Sequence, residues 1–198
     1  MDAVITSAKE IPIQELDTET DTRDYLANAR KDAEKKGFAD WLIVDIDAHH
    51  VESVSWPEIT SYIEDPVVRH QAEMYHSERV GAPPYGLNGD LGLRYQDVGG
   101  RIPHQSSQRE KVDATGVHRD VVLTKRAMHG LALDYMVLFP TPMLFLGMHP
   151  QTEMEVFLCR AYNRWLTERI LPGDPGMVTL VVLPFNTPDE ALKIVEEF

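Results

Sequence analysis

The chain has 198 residues, 43% hydrophobic and 26% charged, a composition that suits a globular domain with its own core and excludes a disordered polymer. Its formal net charge of −13, with no basic stripe, argues against a nucleic-acid-binding surface, because neutralising phosphate needs clustered Lys and Arg. The single cysteine, Cys159, rules out an internal disulfide and reads as a small buried hydrophobe inside a helix. No run reaches the ~18 apolar residues of a membrane span. The first residues carry neither the basic nor the apolar region of a signal peptide, so the expected location is a reducing cytoplasm.

Residues 1–20 read as a polar lead. Asp21 to Lys36 is rich in helix formers and stops at Gly37, with Tyr25, Leu26 and Ala29 as its apolar face. Trp41 to Asp47 is a nearly continuous apolar run, expected to be a strand buried on both faces. Residues 53–118 carry little regular signal. The stretches Gly81–Gly86 and Asp97–Arg101 have loop chemistry, and a short helix is expected from Asp65 to Arg79.

A helix follows from Arg119 to His129, with Val122, Leu123, Arg126 and Ala127 near one face and Gly130 as its stop. Asp134 to Phe139 reads as a second buried strand, ended by Pro140-Thr141-Pro142. The clearest helix comes next. Met154, Phe157, Leu158, Ala161, Tyr162, Trp165 and Leu166 form an apolar stripe at helical period, and Thr152 with Glu155 matches a capping box. Met177 to Leu183 is the third expected strand, and Thr187, Pro188 and Glu190 open a last helix with a second capping box.

Strands alternating with helices predict an α/β fold with a parallel sheet. Three such units do not close a barrel, which usually takes ~250 residues, so the sequence looks incomplete at its C-terminus. The expected organisation is a polar lead and helix over 1–39, then one barrel-type unit over 40–198 with 53–118 as a loop-rich insertion.

The densest chemistry is Asp45-Ile46-Asp47-Ala48-His49-His50-Val51-Glu52, at the C-terminal end of the first strand, where α/β folds place ligand sites. Asp47 and His49 are two apart, so extended backbone turns both to one face. A carboxylate oxygen beside an imidazole nitrogen suits zinc, manganese or iron, and at least one further ligand must come from elsewhere. The competing reading is a loop or cap hydrogen bond. His50 points the other way, toward packing. Glu52 reads first as a turn residue, with a distant ligand or proton carrier as alternatives. Thr141 and Pro142 would line the same mouth, or simply form a turn. His104, His118, His129 and His149 lack ligand spacing and read as surface or loop residues. Arg69, Arg94 and Arg101 are able to reach a substrate carboxylate, with none singled out. Asn163, Arg164 and Trp165 read as helix packing and surface pairing. Gly86 to Gly92 lacks the strand–helix context of a phosphate loop.

Asp-x-Asp-x-His-x-x-Glu after an apolar strand resembles the opening of the amidohydrolase-related family, whose members include aminocarboxymuconate-semialdehyde and resorcylate-type decarboxylases. Three later blocks are similar to that family: Asp134 to Thr141, Ala161 to Leu166, and Val182-Leu183-Pro184 through Asp189 to Leu192. The resemblance spans residues ~40–198, apart from 53–118. It implies the first three units of a (β/α)8 barrel with one divalent metal on Asp47 and His49, zinc first and manganese second. It also implies a small-molecule carboxylic acid substrate near Thr141, Pro142 and Glu52, and a homodimer in the full-length form. Non-oxidative decarboxylation of an aromatic or unsaturated acid is the leading activity, and hydrolysis of an amide or lactone the alternative. Many members carry His-x-His where this chain has Asp47 and His49. The family's later His and last-strand Asp, including the usual acid/base, have no counterpart here, so a non-catalytic half-barrel that pairs with another chain is the competing class.

Overall fold

The computed structural model describes residues 22–50, 52–74, 112 and 116–198. The polar lead, the loops at 81–86 and 97–101, Gly86 to Gly92, Arg94, Arg101, His104 and the last part of the 65–79 helix lie outside the described residues. The described elements are α1 (Thr22–Lys35), β1 (Val44–His50), α2 (Trp56–Ser61), α3 (Pro66–Glu73), α4 (Arg119–Leu131), β2 (Tyr135–Pro140), α5 (Thr152–Trp165), β3 (Met177–Thr179) and α6 (Pro188–Glu197). Among the described residues, one parallel sheet runs in the order β1-β2-β3. The chain is therefore α/β, with helices joining consecutive parallel strands.

One face of the sheet carries the core. Ala48 and His50 of β1, Met136 and Leu138 of β2 and Met177 of β3 are buried, together with Leu158, Ala161, Tyr162 and Trp165 of α5. Along β2 burial alternates residue by residue, the period-two signature of a strand covered on one side. The expectation of strands buried on both faces is thus corrected. Among the described residues β1 is an edge strand, and it begins at Val44 rather than Trp41. Trp41, Leu42 and Ile46 are 71%, 74% and 73% exposed. A continuous apolar run tells that a face wants cover, not that the described chain supplies it.

The third strand is also shorter than expected. Pairing stops at Leu138–Thr179. Beyond it the side-chain amide of Asn163 brackets the Val182 backbone, donating from Nδ2 to the carbonyl at 2.9 Å and accepting from the N–H at 3.0 Å. A helix side chain replaces the next strand partner there.

The helices follow their sequence signals with instructive exceptions. α1 ends as predicted, with Gly37 in the left-handed region at φ 68°. Gly130 does not stop α4. It lies inside that helix, where a Cβ would come within 2.7 Å of Leu26 Cβ on α1, and the left-handed stop falls on Ala132 at φ 55°. The buried face of α4 is Asp120, Val121, Thr124 and Met128, rotated from the one expected. Neither capping box forms. Gln151, not Thr152, occupies the cap position of α5 without a side-chain bond, and the buried Glu155 carboxylate reaches across to accept from Phe185 N at 2.7 Å and Asn186 Nδ2 at 2.9 Å. Thr187 occupies the cap position of α6 without a side-chain bond, while Glu190 pairs with Lys193.

Residues 56–63, which carry little regular sequence signal, contribute to the core. Trp56, Ile59 and Ile63 are buried, and the Trp56 indole donates to the Ala72 carbonyl at 2.9 Å, joining α2 to α3. α2 has six residues, too few for apolar periodicity to stand out.

Candidate metal corner

β1 carries a register irregularity between Asp45 and Ala48. An inserted residue bends a strand and redirects its side chains. The Asp45 carboxylate accepts from the displaced Asp47 N–H at 3.0 Å, which stabilises the bulge. After it, Asp47 and His49 face the uncovered side of the sheet, and His49 packs against the Phe139 ring. Asp47 Oδ1 lies 3.0 Å from His49 Nε2, with the side chains 77% and 25% exposed. The two predicted ligands therefore do meet, on one face and within reach of solvent.

The hydrogen bonds around His49 define what this contact can be. Its Nδ1 lies 3.2 Å from the Pro140 carbonyl, which can only accept. Nδ1 must therefore hold a proton. A neutral ring then turns a lone pair at Nε2 toward a carboxylate, and two acceptors repel. The pair is satisfied in two ways: by a second proton on the ring, or by a cation between the two atoms. Metal bonds of about 2.0–2.2 Å place neighbouring ligand atoms about 3.0–3.5 Å apart, so the observed spacing fits a shared ion. Among the described residues no group of three or more His, Cys, Asp or Glu side chains gathers to complete a metal site.

The other expected site residues are spent on structure. Glu52 is fully buried. Its Oε2 accepts from Thr141 N at 2.8 Å and its Oε1 from Met143 N at 2.6 Å, so it clasps the turn after β2 rather than facing a substrate. Thr141 is half-buried, and its hydroxyl donates to the His50 carbonyl at 2.7 Å. Pro142 starts a 3-10 helix that runs to Met148. Glu52, expected beside a substrate, is here buried with both oxygens bonded to backbone N–H groups. Its role belongs to the loop, because a carboxylate removed from water must be fed hydrogen bonds.

Burial raises the Glu52 carboxyl from 4.5 to about 7, opposed by the neighbouring His50 charge and by backbone N–H groups. The folded protein thus holds this proton more tightly than the unfolded chain. Stability from Glu52 is fully present below about pH 4.5 and is lost as pH rises toward 7, by on the order of 3 kcal/mol. Urea midpoints across that window should fall for the wild type relative to Glu52→Gln. Parallel curves would refute the buried proton.

His50 faces the core, as expected from its parity. Its Nε2 lies 2.7 Å from Tyr162 Oη, its ring stacks on Trp165 at 5.8 Å between centroids, and Nδ1 lies 3.5 Å from Asp120 Oδ2. Burial, then the charges of Glu52 and Asp120, pushes the Tyr162 hydroxyl well above its ordinary value, so it stays a neutral partner for His50. Asp120 and Tyr162 carried no sequence signal for this role, because they stand 70 and more residues from β1. His118 and His149 both lie in loops at helix ends: His118 caps α4 by accepting from Asp120 N at 3.1 Å, and His149 is buried. Arg69 donates to the Ile63 carbonyl at 2.7 Å, which ties it to the fold. The Cys159 thiol is buried among apolar neighbours, which raises its pKa and keeps it a neutral core residue.

No protein-family model matches the chain, and no curated protein matches it significantly. Among the described residues no helix is long and apolar enough to cross a membrane.

Proposed function

We propose that this chain carries the metal-binding corner of an amidohydrolase-type enzyme, with β1, β2 and β3 as the first three strands of a (β/α)8 barrel. The observation that carries the reading is the Asp47–His49 pair, 3.0 Å apart beyond a bulge, with Nδ1 engaged by a backbone carbonyl. Such a pair suits a first-strand ligand set, and the resemblance of residues ~40–198, apart from 53–118, to the amidohydrolase-related family supports the reading. Zinc is the preferred ion and manganese the second.

A divalent ion held there supplies Lewis acidity toward a carboxylate and a neighbouring oxygen of the substrate. Asp47 and His49 set its position, and the half-buried Thr141 and the exposed apolar face bound the space ahead of it. The favoured reaction is non-oxidative decarboxylation of an aromatic or unsaturated acid, with hydrolysis of an amide or lactone as the alternative.

The uncovered sheet face, with Val44, Ile46, Tyr135 and Leu180 exposed, favours a second reading in which the chain works only when paired, as a homodimer or with another chain. The test combines metal analysis, light scattering and carbon dioxide release from hydroxybenzoates with zinc or manganese present. About one ion per chain with metal-dependent release supports the decarboxylase. Release of acid from a lactone instead moves the assignment to the hydrolase. A chain that takes up no metal in any oligomeric state removes both.

A further inference from the structure

We propose that Glu52 is a positioning residue for His49, acting through the single peptide unit that joins Pro140 to Thr141. The inference rests on the reading of Asp47 and His49 as metal ligands. Both ends of that peptide are in use. Its N–H, on Thr141, donates to Glu52 Oε2 at 2.8 Å, and its C=O, on Pro140, lies 3.2 Å from His49 Nδ1.

A peptide is planar and conjugated, so a carboxylate drawing on the N–H makes the carbonyl oxygen more negative. Hydrogen bonds in a chain strengthen one another in this way. The Pro140 carbonyl then holds the imidazole proton on Nδ1 and leaves the Nε2 lone pair directed at the Asp47 side, the tautomer a cation requires. Ligating histidines are commonly oriented by a carboxylate or a carbonyl directly. Here a buried carboxylate reaches the ring with a peptide in between.

The surroundings keep this relay rigid. The strand pairing ends at His50 and Pro140, so the Thr141 N–H lies just past the ladder, where Glu52 meets it. The second carboxyl oxygen is held by Met143 N at 2.6 Å, which stops the group from turning. The Thr141 hydroxyl is anchored to the His50 carbonyl at 2.7 Å, tying the same residue back to β1. The Pro140 carbonyl has little freedom to leave His49.

The test compares wild type with Glu52→Gln by 15N NMR of the His49 ring and by titration with zinc alone, at about pH 8 where Glu52 is ionised. We expect the neutral wild-type ring to carry its proton on Nδ1. In the variant the Nε2–H form should gain, and zinc affinity should fall by roughly tenfold or more. A variant that folds like wild type and keeps both tautomer and zinc affinity within about twofold overturns the relay. If the variant does not fold, the wild-type spectrum decides: a neutral ring protonated on Nε2 rules the relay out. If wild type binds no zinc, the ligand reading fails, and the tautomer comparison still judges Glu52.

Discussion

If Asp47 and His49 hold the proposed ion, Asp47→Ala and His49→Ala should each abolish zinc binding while leaving the protein folded. Among the described residues both side chains lie on the face of the edge strand β1 away from the core, so truncation opens no core cavity. Losing either removes half of the ligand pair. The remaining group then faces water, which solvates it without help from an ion. The loss should exceed the ~10–100-fold that removal of an outer partner costs, so more than about 100-fold in affinity is expected. Asp47→Asn sharpens the test. It keeps the shape and one acceptor oxygen but removes the charge, and it should fall close to Asp47→Ala. Equilibrium dialysis with circular dichroism measures both quantities. Zinc binding that survives in both alanine variants would place the ion elsewhere and end the assignment of this corner.

Trp165→Ala should be the most damaging single change in the described core. The indole is fully buried. It stacks on His50 with 9° between ring planes, meets His118 edge-on at 5.7 Å, packs on Tyr162 at 5.9 Å, and donates from Nε1 to Glu58 at 3.2 Å. Removing a buried aromatic side chain costs about 3–5 kcal/mol through lost burial and the cavity left behind. Domains of this kind have about 5–15 kcal/mol in total, so the variant should be close to unfolding. A fall of about 10 °C or more in the melting temperature is expected. Trp165→Phe keeps most of the packing and loses the Glu58 bond, so it should cost less. The ring also backs the strand end that carries His49, so Trp165→Ala should loosen zinc at temperatures where it remains folded. A melting temperature within about 2 °C of wild type would show that this cluster does not organise the core.

Much of this architecture is legible from local sequence because it depends on local physics. The stripe from Met154 to Leu166 repeats at helical period and folds as α5. Gly37 is needed where the backbone turns left-handed, and α1 stops just before it. The two-residue spacing of Asp47 and His49 brings them to one face, even though the strand bulges at Asp47 itself. These features need only neighbours along the chain.

What the sequence alone did not reveal depends on partners about 30 to 104 residues away along the chain. Gly130 looks like a helix stop, but its smallness serves contact with Leu26. Glu155 looks like half of a capping box until Phe185 and Asn186 take its carboxylate. Glu52 looks like a turn residue, and only the arrival of β2 gives its oxygens the Thr141 and Met143 amides. A carboxylate buried in a fold takes whichever N–H groups the tertiary structure leaves without partners, because an unmet buried charge is too costly to persist. Sequence periodicity determined which residues turn inward. Which of them hold one another was decided only when the sheet and helices met.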